Sequence, residues 1–152
     1  MTLAERLAEL GIELPPAARP VGAYVPTVRT GKLVFTAGQL PLSNGELIAC
    51  GKVPLDVDLQ QAYAGARQAA LNALSAVNAE AGSLDAVARI VRVNCYVNSA
   101  PGFTDQAKVA NGASELLAEI FGQAGLHTRC AIGAAELPLN AAVEVDLIVE
   151  LA

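Results

Sequence analysis

The C-terminal segment alternates between apolar and polar positions. Val143, Val145, Leu147, Val149 and Leu151 interleave with Glu144, Asp146, Ile148 and Glu150. Period two is the signature of a strand with one covered face and one mixed face, the mixed one meeting water or another subunit. Val87 to Val97 predicts a second long strand, with Val91, Val93, Cys95 and Val97 on one side and Arg92, Asn94 and Tyr96 on the other. Tyr24–Arg29 and Lys32–Leu40 predict a hairpin turning through Thr30-Gly31, and the run Leu33-Val34-Phe35-Thr36-Ala37 is apolar enough for an interior strand. Ser43-Asn44-Gly45 is a turn.

Elsewhere the period lengthens to that of a helix. Asp58 and Gln61 form a capping-box pattern, the Ala-rich stretch to Ala81 follows, and Gly82 closes it. Ala62, Ala66, Ala69, Ala73 and Val77 make one stripe of small side chains, suited to close approach on a sheet. Thr104 or Asp105 starts a second helix that runs to Phe121 and stops at Gly122. Gly112 lies inside it, where glycine costs about 1 kcal/mol against alanine, so tight packing is expected there. Leu3, Leu7 and Leu10 predict a short helix before Gly11. Residues 1–20 read as an N-terminal helical extension packed on a domain spanning 21–152. The order β-β-α-β-α-β-β implies an α+β fold.

Residues 127–151 resemble two strands joined by a Leu-Pro-Leu-Asn loop. With the turn centred between Pro138 and Leu139, strand alternation puts Arg129 and Glu144 on one face, Glu144 lying opposite Gly133. Ala131, Gly133 and Ala135 leave room beside the arginine, and room next to a fixed guanidinium suits a small anion. A slip of one residue would separate the two groups. A surface ion pair, worth under ~1 kcal/mol, is the plain alternative use of them.

Composition narrows the class. A chain of 152 residues fits one domain burying roughly 70% of its unfolded surface. Hydrophobic residues make up 53% and charged residues 16%, a balance that suggests apolar surface covered by a partner subunit. A net charge of −5 without a basic stripe disfavours nucleic acid. Cys50, Cys95 and Cys130 are dispersed and read as reduced thiols, with Cys95 and Cys130 acting as small apolar strand residues. One histidine, His127, excludes the usual His-rich metal sites. No apolar run is long enough for a membrane span and no signal peptide is evident, so the expected location is cytoplasmic.

Three segments in order, Val21-Gly22-Ala23-Tyr24, Val34-Phe35-Thr36-Ala37-Gly38-Gln39-Leu40-Pro41, and Arg129 through Leu137-Pro138 to Val143-Glu144-Val145, resemble the Rid family of reactive-intermediate deaminases. That family is also called YjgF and was once described as endoribonuclease L-PSP or translation inhibitors. The resemblance covers about residues 20–152. It implies a chorismate-mutase-like fold, a mixed sheet with two helices on one face, and a barrel-like homotrimer with clefts between subunits. It implies hydrolysis of small enamine or imine acids to 2-keto acids and ammonia, with no metal or cofactor. By position, Arg129 grips the substrate carboxylate and Glu144 positions or activates water. Tyr24, the backbone at Gly38, and Ala131 line the substrate cleft. Many members carry a cysteine where Ala131 stands, so thiol-dependent roles are not expected from Cys130, one residue earlier. The family's helix asparagine does not align with Asn111 by spacing. A non-catalytic module binding small carboxylates is the alternative, and a ribonuclease the third reading.

Overall fold

The helices form where the local signals are strongest. In the computed structural model, which describes residues 1–20 and 22–152, the first helix, α1 (Leu3–Glu9), carries a Thr2 capping box. The long helix α2 (Leu59–Ala81) starts at the Asp58–Gln61 box and ends at Gly82 with φ of 83°, a left-handed cap that glycine takes without strain. Its stripe Ala62, Ala66, Ala69, Ala73 and Val77 is fully buried. The third helix, α3 (Gln106–Phe121), begins at Asp105, whose side chain makes no capping bond, and ends at Gly122. A Cβ at Gly112 would run into the Tyr63 carbonyl oxygen, so this glycine lets α3 lie directly on α2. No helix is long and apolar enough to cross a membrane among the described residues.

Five strands make one sheet: β1 (Thr27–Thr30), β2 (Leu33–Thr36), β5 (Val87–Asn98), β6 (Thr128–Ala134) and β7 (Val143–Leu151). Two short strands, β3 (Leu42–Ser43) and β4 (Glu46–Leu47), pair separately across the Asn44-Gly45 turn. The sheet order is β1-β2-β7-β5-β6, with β5 and β6 parallel and the other pairs antiparallel. The family expectation of a mixed sheet carrying two helices holds: β7 alternates buried and half-buried residues along its whole length, and its buried side joins α2 and α3 in one core. Leu7 of α1 belongs to that core, and Leu3, Leu10, Ile12 and Leu14 pack against it.

Several expectations need correction. The Tyr24–Arg29 strand shrinks to β1, so Tyr24 lies outside the sheet, and Lys32–Leu40 shrinks to β2; Thr30 pairs Leu33, which places the turn at Gly31-Lys32. Val91 leaves the buried row, because register shifts on either side of Ile90 put Ile90 in the core instead. The larger correction concerns the C-terminal hairpin. The strands β6 and β7 do not pair; β5 lies between them. A strand, a helix and a parallel strand form a crossover unit, and β5-α3-β6 is one, which puts β6 outside β5 while β7 takes its inner side. Gly133 therefore pairs Val97, and Glu144 pairs Tyr96.

Candidate active site

Register fixes which way each candidate points. Arg129 pairs Val93, which pairs Leu147, so these three share the helix-covered face. Glu144 pairs Tyr96, which pairs Ile132, and these share the open face. Within one protomer the two charges project to opposite sides of the sheet, and the same-face expectation for Arg129 and Glu144 is wrong. The cause is the inserted β5: the odd-sum register of a hairpin does not apply to strands that never touch.

Arg129 leans off the edge strand β6 onto α3. Its Nη1 donates to Asn111 Oδ1 at 2.8 Å and to Ser114 Oγ at 3.1 Å, and its Nη2 donates to the Ala107 carbonyl at 3.4 Å. Residues 107, 111 and 114 fall at helical spacings of four and three, one stripe of α3. A guanidinium has five N–H groups; three of these bonds face the helix, which leaves Nε–H and one Nη2–H for a ligand. Among the described residues no carboxylate lies within ion-pair distance of Arg129. A cavity of about 270 Å³ adjoins it, lined by Ser114, Leu126, His127 and Arg129. Ala131 follows on the same face, half-buried against the core.

Glu144 sits in different surroundings. It is half-buried on the open face, and its carboxylate makes no hydrogen bond among the described residues. Burial pushes its carboxyl above the ordinary value of 4.5, and the neighbouring Asp146 adds to the rise. Gly38 packs against it so closely that a Cβ there would collide with the carboxylate. Gly38 is exposed, and its N–H has no acceptor among the described residues, leaving a donor beside the carboxylate. Tyr24 is 51% exposed in the segment before β1. The segment's first residue, Val21, lies outside the described residues.

The open face holds more than sequence reasoning found. Asp146 accepts from Asn94 Nδ2 at 2.8 Å, and burial also raises its pKa, opposed by Asn94 and Arg92. Cys130 is exposed here, not an apolar core residue, and receives Arg92 Nη2 at 3.0 Å. Cys95 is the buried thiol, its pKa pushed up to about 12 by desolvation. Phe35, Val28 and Ile132 leave apolar surface at 39%, 55% and 49% exposure on the same side. Ser114 was missed at the arginine, and Asn111, set aside because its spacing did not match, is the arginine's other partner. Their signal is the polar pair three apart on α3, flanked by the apolar Val109, Ala110, Ala113, Leu116 and Leu117.

Comparison with known proteins supplies the rest. A family model described as "YjgF/chorismate mutase-like, putative endoribonuclease" matches residues 4–151. Protein TCP17 of Trypanosoma cruzi is 45% identical over 150 residues, 98% of this chain and 94% of its own. A 2-iminobutanoate/2-iminopropanoate deaminase of Dermatophagoides farinae is 29% identical over 140 residues, covering 91% and 93%. The crystal structure of an endoribonuclease, so named with the qualifier "putative", from Shewanella oneidensis superposes with a TM-score of 0.96 at 35% identity, covering 99% of this chain and all of that one.

Proposed function

From its membership of the YjgF/chorismate mutase-like family, to which the chain belongs, we propose that the protein hydrolyses small enamine or imine acids to 2-keto acids and ammonia. The reaction takes place in a cleft that two copies of the chain build together, as in a homotrimer. The observation that carries this reading is a pair of incomplete charges. Arg129 is held by α3 with one N–H edge open and no anion beside it; Glu144 is desolvated with no cation and no donor bonded to it. Each lacks the complement that the other supplies, and the sheet keeps them apart within one copy. The deaminase of Dermatophagoides farinae supports the choice of substrate class.

The chemistry follows from these groups. Nε–H and Nη2–H of Arg129 hold the substrate carboxylate bidentately, which fixes the imine carbon. Once an enamine has taken a proton at its terminal carbon, water adds to the C=N carbon of the imine. Glu144 of the adjacent copy accepts a proton from that water and gives it to the nitrogen, forming a carbinolamine; it then takes the hydroxyl proton and passes it to the amine, so that the C–N bond breaks with loss of ammonia as the carbonyl forms. A carboxyl with a raised pKa both takes and gives that proton better than an ordinary one near neutral pH. The Gly38 N–H lies beside Glu144 and can bond the substrate or the water.

The test generates 2-iminobutyrate in situ and follows keto-acid release. Acceleration by the wild-type protein, lost in Arg129→Ala and in Glu144→Gln, is the expected result. Mixing the two inactive variants should restore activity, since some clefts then combine an intact arginine with an intact glutamate. No acceleration, or full activity in Arg129→Ala, overturns the proposal. A binder without turnover is the second reading, favoured by the open guanidinium edge alone; it predicts that Glu144→Gln keeps its affinity for 2-ketobutyrate and that no protein form accelerates hydrolysis.

A further inference from the structure

Behind the arginine runs a chain of hydrogen bonds that the reaction above does not use. His127 Nδ1 lies 2.7 Å from the Gly125 carbonyl oxygen. A carbonyl only accepts, so Nδ1 carries a hydrogen. In the neutral ring Nε2 is then bare, and Ser114 Oγ stands 2.8 Å from it. The single Ser114 proton points to Nε2, which leaves the oxygen lone pairs turned to Arg129 Nη1 at 3.1 Å. The series therefore has one direction: Arg129 donates to Ser114, Ser114 donates to His127, and His127 donates to a backbone carbonyl. Gly125 is itself fixed, because a Cβ there would strike the Leu117 carbonyl of α3. The series is thus anchored at its far end to packed backbone.

A lone serine hydroxyl rotates, and a rotated hydroxyl presents its hydrogen to the guanidinium instead of its lone pair. With Nε2 in place that rotation is blocked. Asn111 holds the other Nη1 hydrogen at 2.8 Å, so the guanidinium plane is set by two acceptors on α3. We propose that Ser114 and His127 are positioning residues that hold the Arg129 guanidinium with its Nε/Nη2 edge turned to the ligand. This rests on Arg129 being the carboxylate clamp, and it adds why the clamp has a single orientation. In this role both side chains act through the arginine, although both also line the cavity beside it.

The test uses Ser114→Ala, His127→Ala, His127→Gln and the double variant Ser114→Ala/His127→Ala in the full-length protein. Glutamine places an amide oxygen where Nε2 stood, so Ser114 keeps its acceptor. The KM for 2-iminobutyrate should rise about tenfold in Ser114→Ala and about fivefold in His127→Ala, with kcat within about twofold. His127→Gln should recover most of the loss. The double variant should be no worse than Ser114→Ala, because both residues serve one chain of bonds. Nitrogen-15 spectra of the ligand-free protein give a readout that needs no turnover: the Arg129 Nη signals should be slowly exchanging and resolved in wild type and averaged in Ser114→Ala and His127→Ala. Unchanged KM together with unchanged Arg129 signals would overturn the proposal even where the wild type is an active deaminase. Averaged signals in a protein that hydrolyses no imine would sustain the positioning role and sink the deaminase reading instead.

Discussion

Arg129 and Glu144 occupy the two faces of one sheet, and the fold treats them in contrasting ways. Arg129 is surrounded by acceptors: Asn111, Ser114 and the Ala107 carbonyl align on α3 and take three of its hydrogens. Glu144 is surrounded by obstacles: burial, the like charge of Asp146, and Gly38 packed against it. One group is oriented by three bonds with an edge left open; the other is half-buried with its carboxylate unbonded. A clamp for a ground-state carboxylate needs fixed geometry, whereas a group that moves protons needs a poised pKa. The contrast is what a divided labour between binding and proton transfer would require, and each side of it can be broken separately.

The largest effect is expected at the arginine. Arg129→Ala removes two charge-assisted hydrogen bonds to the substrate, each worth about 1.5–3 kcal/mol, so kcat/KM for 2-iminobutyrate should fall about a thousandfold. Arg129→Lys should recover little of it, since an ammonium cannot engage Asn111, Ser114 and a carboxylate in one plane. Steady-state kinetics on the purified variants measure both.

Glu144→Gln should lower kcat about a hundredfold while KM holds, the general acid–base share of the rate. The same variant should be more stable than wild type. The folded Glu144 carboxyl has a raised pKa, so between its unfolded value and its folded value the native state binds more protons. Stability therefore falls as pH rises through that window, and the loss is complete above the folded pKa. At about pH 7 the melting temperature of Glu144→Gln should exceed that of wild type, and the gap should close towards about pH 4. Activity runs the other way, because it needs the carboxylate: it rises with pH through the same group. Asp146→Asn, which removes the second cause of the shift, should move that acid limb to lower pH.

Much of this molecule was written locally in its sequence, and the parts that were not are the ones that decide the site. The Asp58–Gln61 box, the Ala62-to-Val77 stripe and the Gly82 cap involve residues within a few turns of one another, so α2 is legible. The alternation of β7 gave its buried face for the same reason. Arg129 and Glu144 could be singled out by their setting and by resemblance. Their mutual geometry could not, because it depends on β5, a strand more than 30 residues upstream of β6 that enters between β6 and β7. Adjacency in sequence argued for a hairpin, and the β5-α3-β6 crossover prevailed because parallel strands need a helix between them and that helix was present. Ser114 escaped notice, and Asn111 was set aside for its spacing, because their importance lies in a contact across that crossover.

Gly112→Ala tests whether the arginine side alone depends on the helix layer. The added methyl would meet the Tyr63 carbonyl, with its carbon at 2.9 Å, and backbone cannot yield as a side chain would. Helix α3 must then move off α2, at a net cost of about 1–3 kcal/mol after the gain in helix propensity. Asn111 and Ser114 flank Gly112, so the acceptors of Arg129 move with the helix and KM should rise. Glu144 lies across the sheet and should keep its pH limb. Thermal unfolding, KM and the pH profile together read out the separation; a displaced acid limb would mean that the two faces are coupled through the sheet.

The smallest effect is expected at Cys130, and its smallness is the point. The residue neighbours Arg129 in sequence, yet alternation turns it to the open face, where it pairs with Asn94, itself paired with Asp146, and contacts Arg92. A thiol on that face neither orients the guanidinium nor touches the cavity lined by Ser114, Leu126, His127 and Arg129. Serine keeps the size of cysteine and still accepts from Arg92. Cys130→Ser should therefore change kcat/KM by no more than about 0.5 kcal/mol, roughly a factor of two, as exposed substitutions away from a site do. A large loss on this change, measured in the same deaminase assay, would place a thiol in the reaction and would make the open face, rather than the arginine's edge, the surface on which the chemistry is organised.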